Sequence, residues 1–171
     1  MRRFKALIVL SLIVLAGLTR CKGPTGPQGP AGTPNIIVET FTIPDSTDIQ
    51  TDRWYGAYNY PMRSISQAVV DSGVVLSYLG SQSQDAWTAL PYDLDFDAES
   101  DFTIDYSISV NFVYTTGNFN VTFAASADTL FTGDLPLGPY KVVVIPPNAT
   151  GQLGKADLSR YQAVRQALDL P

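Results

Sequence analysis

The chain has 171 residues with 16 Asp+Glu against 11 Lys+Arg, no histidine and one cysteine, Cys21. That length holds one domain of ordinary size once a leader is removed. The composition excludes a Ser-His-Asp or Cys-His triad, a His/Cys zinc site and an internal disulfide within one chain.

The N-terminus opens on a basic stretch, Met1 to Lys5, followed by an apolar run from Ala6 to Leu18 broken only by Ser11 and Gly17. The run has the size of a secretory h-region and falls short of the about 20 apolar residues that a transmembrane helix needs. Residues 1–20 are therefore expected to be a signal peptide. Arg2, Arg3, Lys5 and Arg20 leave with it, so 4 of the 11 cations go and 7 remain against 16 acids, a net charge of −9. A chain of that charge repels phosphate backbones and anionic lipid, which argues against nucleic acid and against electrostatic adhesion to membranes.

Directly after the apolar run stands Leu18-Thr19-Arg20-Cys21. A lone cysteine at this place resembles the lipid-attachment cysteine of bacterial lipoprotein leaders, whose thiol takes diacylglycerol and becomes the new N-terminus. Leu18 and Thr19 suit that resemblance; Arg20 departs from it, because the position before the cysteine is usually small. The alternative is ordinary secretion with Cys21 as an incidental thiol. Attached acyl chains would supply about 0.8 kcal/mol per buried CH₂, and two or three make a permanent anchor.

Gly23, Gly26, Gly29 and Gly32 recur at every third position, the first three each followed by proline, as in a collagen strand. Three triplets are too few to hold a triple helix unaided, so residues 21–35 are expected to form the anchor and an extended polyproline-II stalk of a monomer. Fully stretched, the stalk would reach roughly 40 Å at about 3.1 Å per residue. A trimer through the stalk is the less favoured reading.

From residue 36 to 171 the pattern is that of an all-β domain, with short β-propensity runs separated by Gly, Pro, Asn and Asp. Ile36 to Ile43 reads as the first strand. Ser64 to Ser72 reads as a short helix opened by a serine cap and closed by Gly73. Phe102 to Val113 alternates strictly, with Phe102, Ile104, Tyr106, Ile108, Val110 and Phe112 on one face. After turn residues Thr115 to Asn118, Phe119 to Ala125 alternates again, which predicts an antiparallel hairpin. Lys141 to Ile145 lacks alternation and is predicted to be a central strand covered on both faces, ended by Pro146 and Pro147. Asp157 is predicted to cap a helix reaching about Leu168, with Leu158, Tyr161, Val164 and Leu168 packed on the sheet. The simplest architecture is an antiparallel β-sandwich, immunoglobulin-like in its layers, with a short C-terminal helix.

The order of leader, cysteine, Gly-Pro-x-Gly-Pro-x-Gly tract and β-rich remainder resembles a group of small collagen-repeat lipoproteins from Gram-negative bacteria. Asp71 to Val75, Trp87 to Tyr92 and Tyr140 to Pro146 add to the resemblance. It implies an outer-membrane envelope lipoprotein and brings no catalytic residues.

Two groups of side chains offer chemistry. Asp93, Asp95, Asp97, Glu99 and Asp101 alternate with Leu94, Phe96 and Ala98, an oxygen-rich edge of the kind Ca²⁺ favours. It is not an EF-hand, since Ala98 and Ile104 stand where the turn glycine and last acid belong, and a solvated acidic edge is the favoured reading. The same acids could supply the carboxylate pair of a glycosidase, but nothing selects a pair. Trp54, Tyr55, Tyr58, Tyr60, Trp87 and Tyr92 offer flat faces for sugars or a protein partner. Trp87 is expected in the core, and Tyr58 and Tyr60, with Trp54, are the candidate ligand-binding residues. No glycine-rich loop follows a strand, so no nucleotide cofactor is implied. The functional expectation is a non-catalytic envelope lipoprotein with a structural, adhesive or partner-binding domain; a carbohydrate-binding or carbohydrate-processing accessory protein, with calcium as an option, is the alternative.

Overall fold

The computed structural model describes residues 35–81, 84–97 and 104–170, with only the backbone of Gln84 and Asp85. The leader, Cys21, the stalk glycines, Glu99, Asp101 and Phe102 lie outside the described residues. The domain is an all-β sandwich with short helices. One sheet has four strands, in the order β1 (Ile37–Phe41), β9 (Tyr140–Ile145), β4 (Val74–Ser81), β5 (Gln84–Ala89). The other has five, in the order β2 (Gln50–Asp52), β3 (Tyr55–Pro61), β8 (Asn118–Ala125), β7 (Tyr106–Thr115), β6 (Tyr92–Phe96). Every pairing is antiparallel.

The non-alternating run behaves as its composition demands. β9 pairs with β1 on one side and β4 on the other, and all four residues from Val142 to Ile145 are buried. Val142 and Val144 face the interior between the sheets, while Val143 and Ile145 face a second core under the C-terminal helix. Three layers follow: five strands, four strands, then helix. The neighbouring strand β4 splits likewise, with Val75 toward the first core and Tyr78 toward the second. Ser77 is also buried, and its hydroxyl has no hydrogen-bond partner among the described residues.

The predicted hairpin is β7 and β8, joined by Thr116 and Gly117, with Gly117 at φ +79° supplying the left-handed residue of the turn. Ile108 and Val110 are fully buried and Phe112 packs on the same core. Ile104 corrects the expectation: the strand starts at Tyr106, and Ile104 is 60% exposed. Its partner strand β6 ends at Phe96, whose carbonyl accepts from Asp105 N–H at 2.9 Å. β1 likewise ends at Phe41, two residues short of Ile43, although Ile43 is buried and its N–H reaches the Leu137 carbonyl at 2.8 Å.

Both helices start later than their sequence signals. Helix α1 (Gln67–Ser72) is capped by Ser66, whose Oγ accepts from Val69 N–H, while Ser64 instead donates to the Glu39 carboxylate at 2.9 Å. Helix α2 (Tyr161–Ala167) has Arg160 at its cap position without a side-chain cap bond. Asp157 is spent locally, accepting from Ser159 N–H at 3.1 Å and Ser159 Oγ at 2.6 Å. Tyr161, Val164 and Leu168 are buried as the helical stripe predicts, but Leu158 precedes the helix and is 40% exposed.

Tyr78 ties the layers together by donating from its hydroxyl to the Leu158 carbonyl at 2.9 Å. Burial, then the neighbouring Tyr161 and Asp157, push its pKa up to about 12, and burial pushes Tyr140 up as well. The folded chain thus holds these protons more tightly than the unfolded chain, whose tyrosines ionise near about 10. The Tyr78 contribution is intact below that pH and is lost as pH rises from about 10 to 12, and that of Tyr140 is lost at higher pH still. Urea titrations are expected to show a stability plateau up to about pH 9 and a fall above pH 10. Tyr78→Phe should make that alkaline fall shallower.

Candidate functional site

The sequence candidates separate in the fold. Alternation along β3 sends Tyr58 and Tyr60 inward onto the first core, with the Phe41 ring lying 4.1 Å from Tyr60 and 6.3 Å from Tyr58. Both of these candidate ligand-binding tyrosines are half-buried and pack on the core. Phe41 sits across from them on the other sheet, which no local pattern reveals. Trp54 differs, standing in the two-residue turn between β2 and β3 beside Arg53 at φ +42°. It is 54% exposed and meets Tyr55 edge-on at 6.1 Å.

Asp93 and Asp95 lie on the solvent face of the edge strand β6, opposite the half-buried Leu94 and Phe96. Asp93 accepts a hydrogen bond from Ser109 Oγ at 2.6 Å on the adjacent strand. Among the described residues no three acids gather into a group that could hold a metal ion, and Asp97 is half-buried at the end of β6.

One end of the sandwich collects aromatics from two strand ends and a loop. Phe96 stacks on Tyr106 at 4.8 Å, and Tyr106 meets Phe131 at 5.5 Å. The Tyr106 hydroxyl donates to Asp134, and this bond, followed by burial and the charges of Asp134 and Asp105, pushes its pKa up to about 12. Leu130 N–H bonds the Arg53 carbonyl at 2.7 Å and Ala125 N–H bonds that of Trp54 at 2.8 Å, fixing the Trp54 turn to the loop carrying the half-exposed Phe131. The chain enters the sandwich at the other end: Ile37 pairs with Val144, near the step from α1 to β4, and α1 is held to the β7–β8 turn by Thr116 Oγ1 donating to Gln67.

A second cluster lies where β5 meets the C-terminal segment. The Lys141 ammonium sits 3.9 Å from the Trp87 ring centre and 4.2 Å from that of Tyr161, a wedge worth about 0.5–2 kcal/mol. Trp87 fits because its cross-strand neighbour is Gly80, where an added Cβ would come within 2.8 Å of the indole. Arg160 bridges to Thr88 at the edge of the sheet. Between them opens a cavity of about 340 Å³ lined by Ala86, Trp87, Ser159, Arg160, Tyr161 and Gln162. Trp87 is therefore half-buried against the second core and also a wall of this cavity. Sequence reading missed Lys141 and Arg160 as members of this cluster; the local signal was a lysine directly before four aliphatic residues of a buried strand.

No family model, curated protein or solved structure matches this chain significantly. Among the described residues no helix is long and apolar enough to cross a membrane.

Proposed function

We propose that this chain is an exported lipoprotein of the Gram-negative outer membrane, anchored by acyl chains on Cys21 and carrying a non-catalytic β-sandwich that binds a partner. The observation that carries the reading is the single cysteine placed directly after a short apolar run and before a Gly-Pro tract. An anchor at that point explains why a strongly acidic chain would stay at an envelope whose lipids repel it. The exposed Trp54 and Phe131 support a binding role, since aromatics with open faces are enriched where proteins meet partners. A carbohydrate-binding role is the second reading, favoured by the aromatic-walled cavity beside Trp87.

Labelling cells with a radioactive fatty acid tests the anchor. The native chain is expected to take up label and to sediment with the outer membrane; Cys21→Ser is expected to lose all label and to appear in the soluble fraction. Retained label in Cys21→Ser, or an unlabelled native chain, overturns the reading.

A further inference from the structure

The geometry points to a binding site for an acidic sugar, a pyranose ring bearing a carboxylate, in the cavity between β5 and the start of α2. This deepens the reading of the sandwich as a binding module and is independent of the lipid anchor. At about 340 Å³ the cavity is near the lower end of the roughly 300–1,000 Å³ range of ligand sites, room for one or two sugar rings.

Its chemistry sets the class of ligand. Arg160 is exposed at the cavity wall, and the hydrogen bonds from Ser159, followed by the Arg160 charge, hold the nearby Asp157 carboxyl below its usual range. The nearby carboxylate of Asp157 is turned to Ser159, which supplies two of its hydrogen bonds. The other cation in the cluster, Lys141, is wedged between two rings. One planar fork without a second mobile cation matches a carboxylate, which accepts two parallel N–H bonds, better than a phosphate, which calls for several positive groups. The remaining walls suit a sugar. Gln162 offers both donor and acceptor for ring hydroxyls, Ser159 Oγ donates to Asp157 and so presents acceptor lone pairs, and the half-buried Trp87 gives apolar surface for C–H groups.

The test uses the full chain in detergent with Trp54→Phe, which leaves Trp87 as the sole indole of a two-tryptophan protein. Its fluorescence is followed during titration with glucuronate, galacturonate and N-acetylneuraminate, with glucose and acetate as controls at matched ionic strength. A saturable change is expected with at least one acidic sugar, and binding of glucose and of acetate at least about tenfold weaker, the worth of one charge-assisted bidentate contact. Arg160→Gln should lower acidic-sugar affinity to the glucose level and leave glucose unchanged, with Arg160→Lys in between. Acetate binding as well as the acidic sugars, which would indicate a free carboxylate or peptide terminus, overturns the assignment. So does glucose binding equally well, an unaffected Arg160→Gln protein, or no saturable response to any acidic sugar. Acylation of Cys21 is read separately by fatty-acid labelling, so failure of the cavity and failure of the anchor are told apart.

Discussion

Phe41→Ala is expected to lower the stability of the sandwich by about 3–5 kcal/mol, the usual cost of truncating a buried phenylalanine. Phe41 is the residue at which the two sheets meet. Its ring lies nearly parallel to Tyr60 at 4.1 Å and 6°, stacks at 5.5 Å on Tyr140 of its own sheet, and meets Phe119 edge-on at 6.1 Å. Truncation removes these contacts and opens a cavity walled by rings that cannot collapse into it, because Phe119 and Tyr140 are themselves fully buried in strands. Tyr140 is further fixed by its hydroxyl, which donates to the Pro136 carbonyl. Urea denaturation followed by near-ultraviolet circular dichroism checks the prediction. Phe41→Leu, which keeps most of the volume, should lose markedly less, and equal losses in the two variants would show that packing at this point is not what holds the sheets.

Gly73→Ala is expected to cost about 2–4 kcal/mol, at the upper end of overpacking effects. The sequence suggests Gly73 as a helix stop, and its φ is −87°, which any residue adopts. The constraint is space. A Cβ there would lie 2.7 Å from the Ile145 carbonyl oxygen, 2.8 Å from Val69 Cα and 2.9 Å from the Val69 carbonyl oxygen. All three are backbone atoms, so no side-chain rotation relieves the clash. Either α1 or the start of β4 must shift, breaking the Val74–Ile145 pairing and the Gly73 N–H bond to Val69. Thermal unfolding monitored by circular dichroism is the measurement. By contrast, Gly117→Asn, at a turn where nothing lies within 4 Å, should change stability far less.

Local patterns announced the parts of the fold that local physics governs. Period-two alternation gave the inward faces of β7 and β8, four consecutive β-branched residues marked β9 as a central strand, and helical spacing identified Tyr161, Val164 and Leu168 as one buried stripe. Exact ends were less legible. Ser64 and Asp157 are both good helix openers, but each found another partner, Glu39 in one case and Ser159 in the other, and the cap positions fall two and three residues later, at Ser66 and Arg160.

What the sequence determined by itself is compositional: the exclusion of histidine- and disulfide-based chemistry, the acidic charge, the all-β class and the two-sided burial of β9. These depend on residue type and short-range period, which need no knowledge of the far side of the molecule. Only the tertiary structure decided that Tyr58 and Tyr60 are packing rather than display, because the ring that covers them, Phe41, comes from the opposite sheet. It alone also brought Trp87, Arg160 and Tyr161 to one cavity, with Lys141 against two of its rings, from β5, the C-terminal segment and β9. Side chains so far apart along the chain meet through sheet pairing and burial of a shared apolar layer, and neither leaves a mark on the local sequence around each of them.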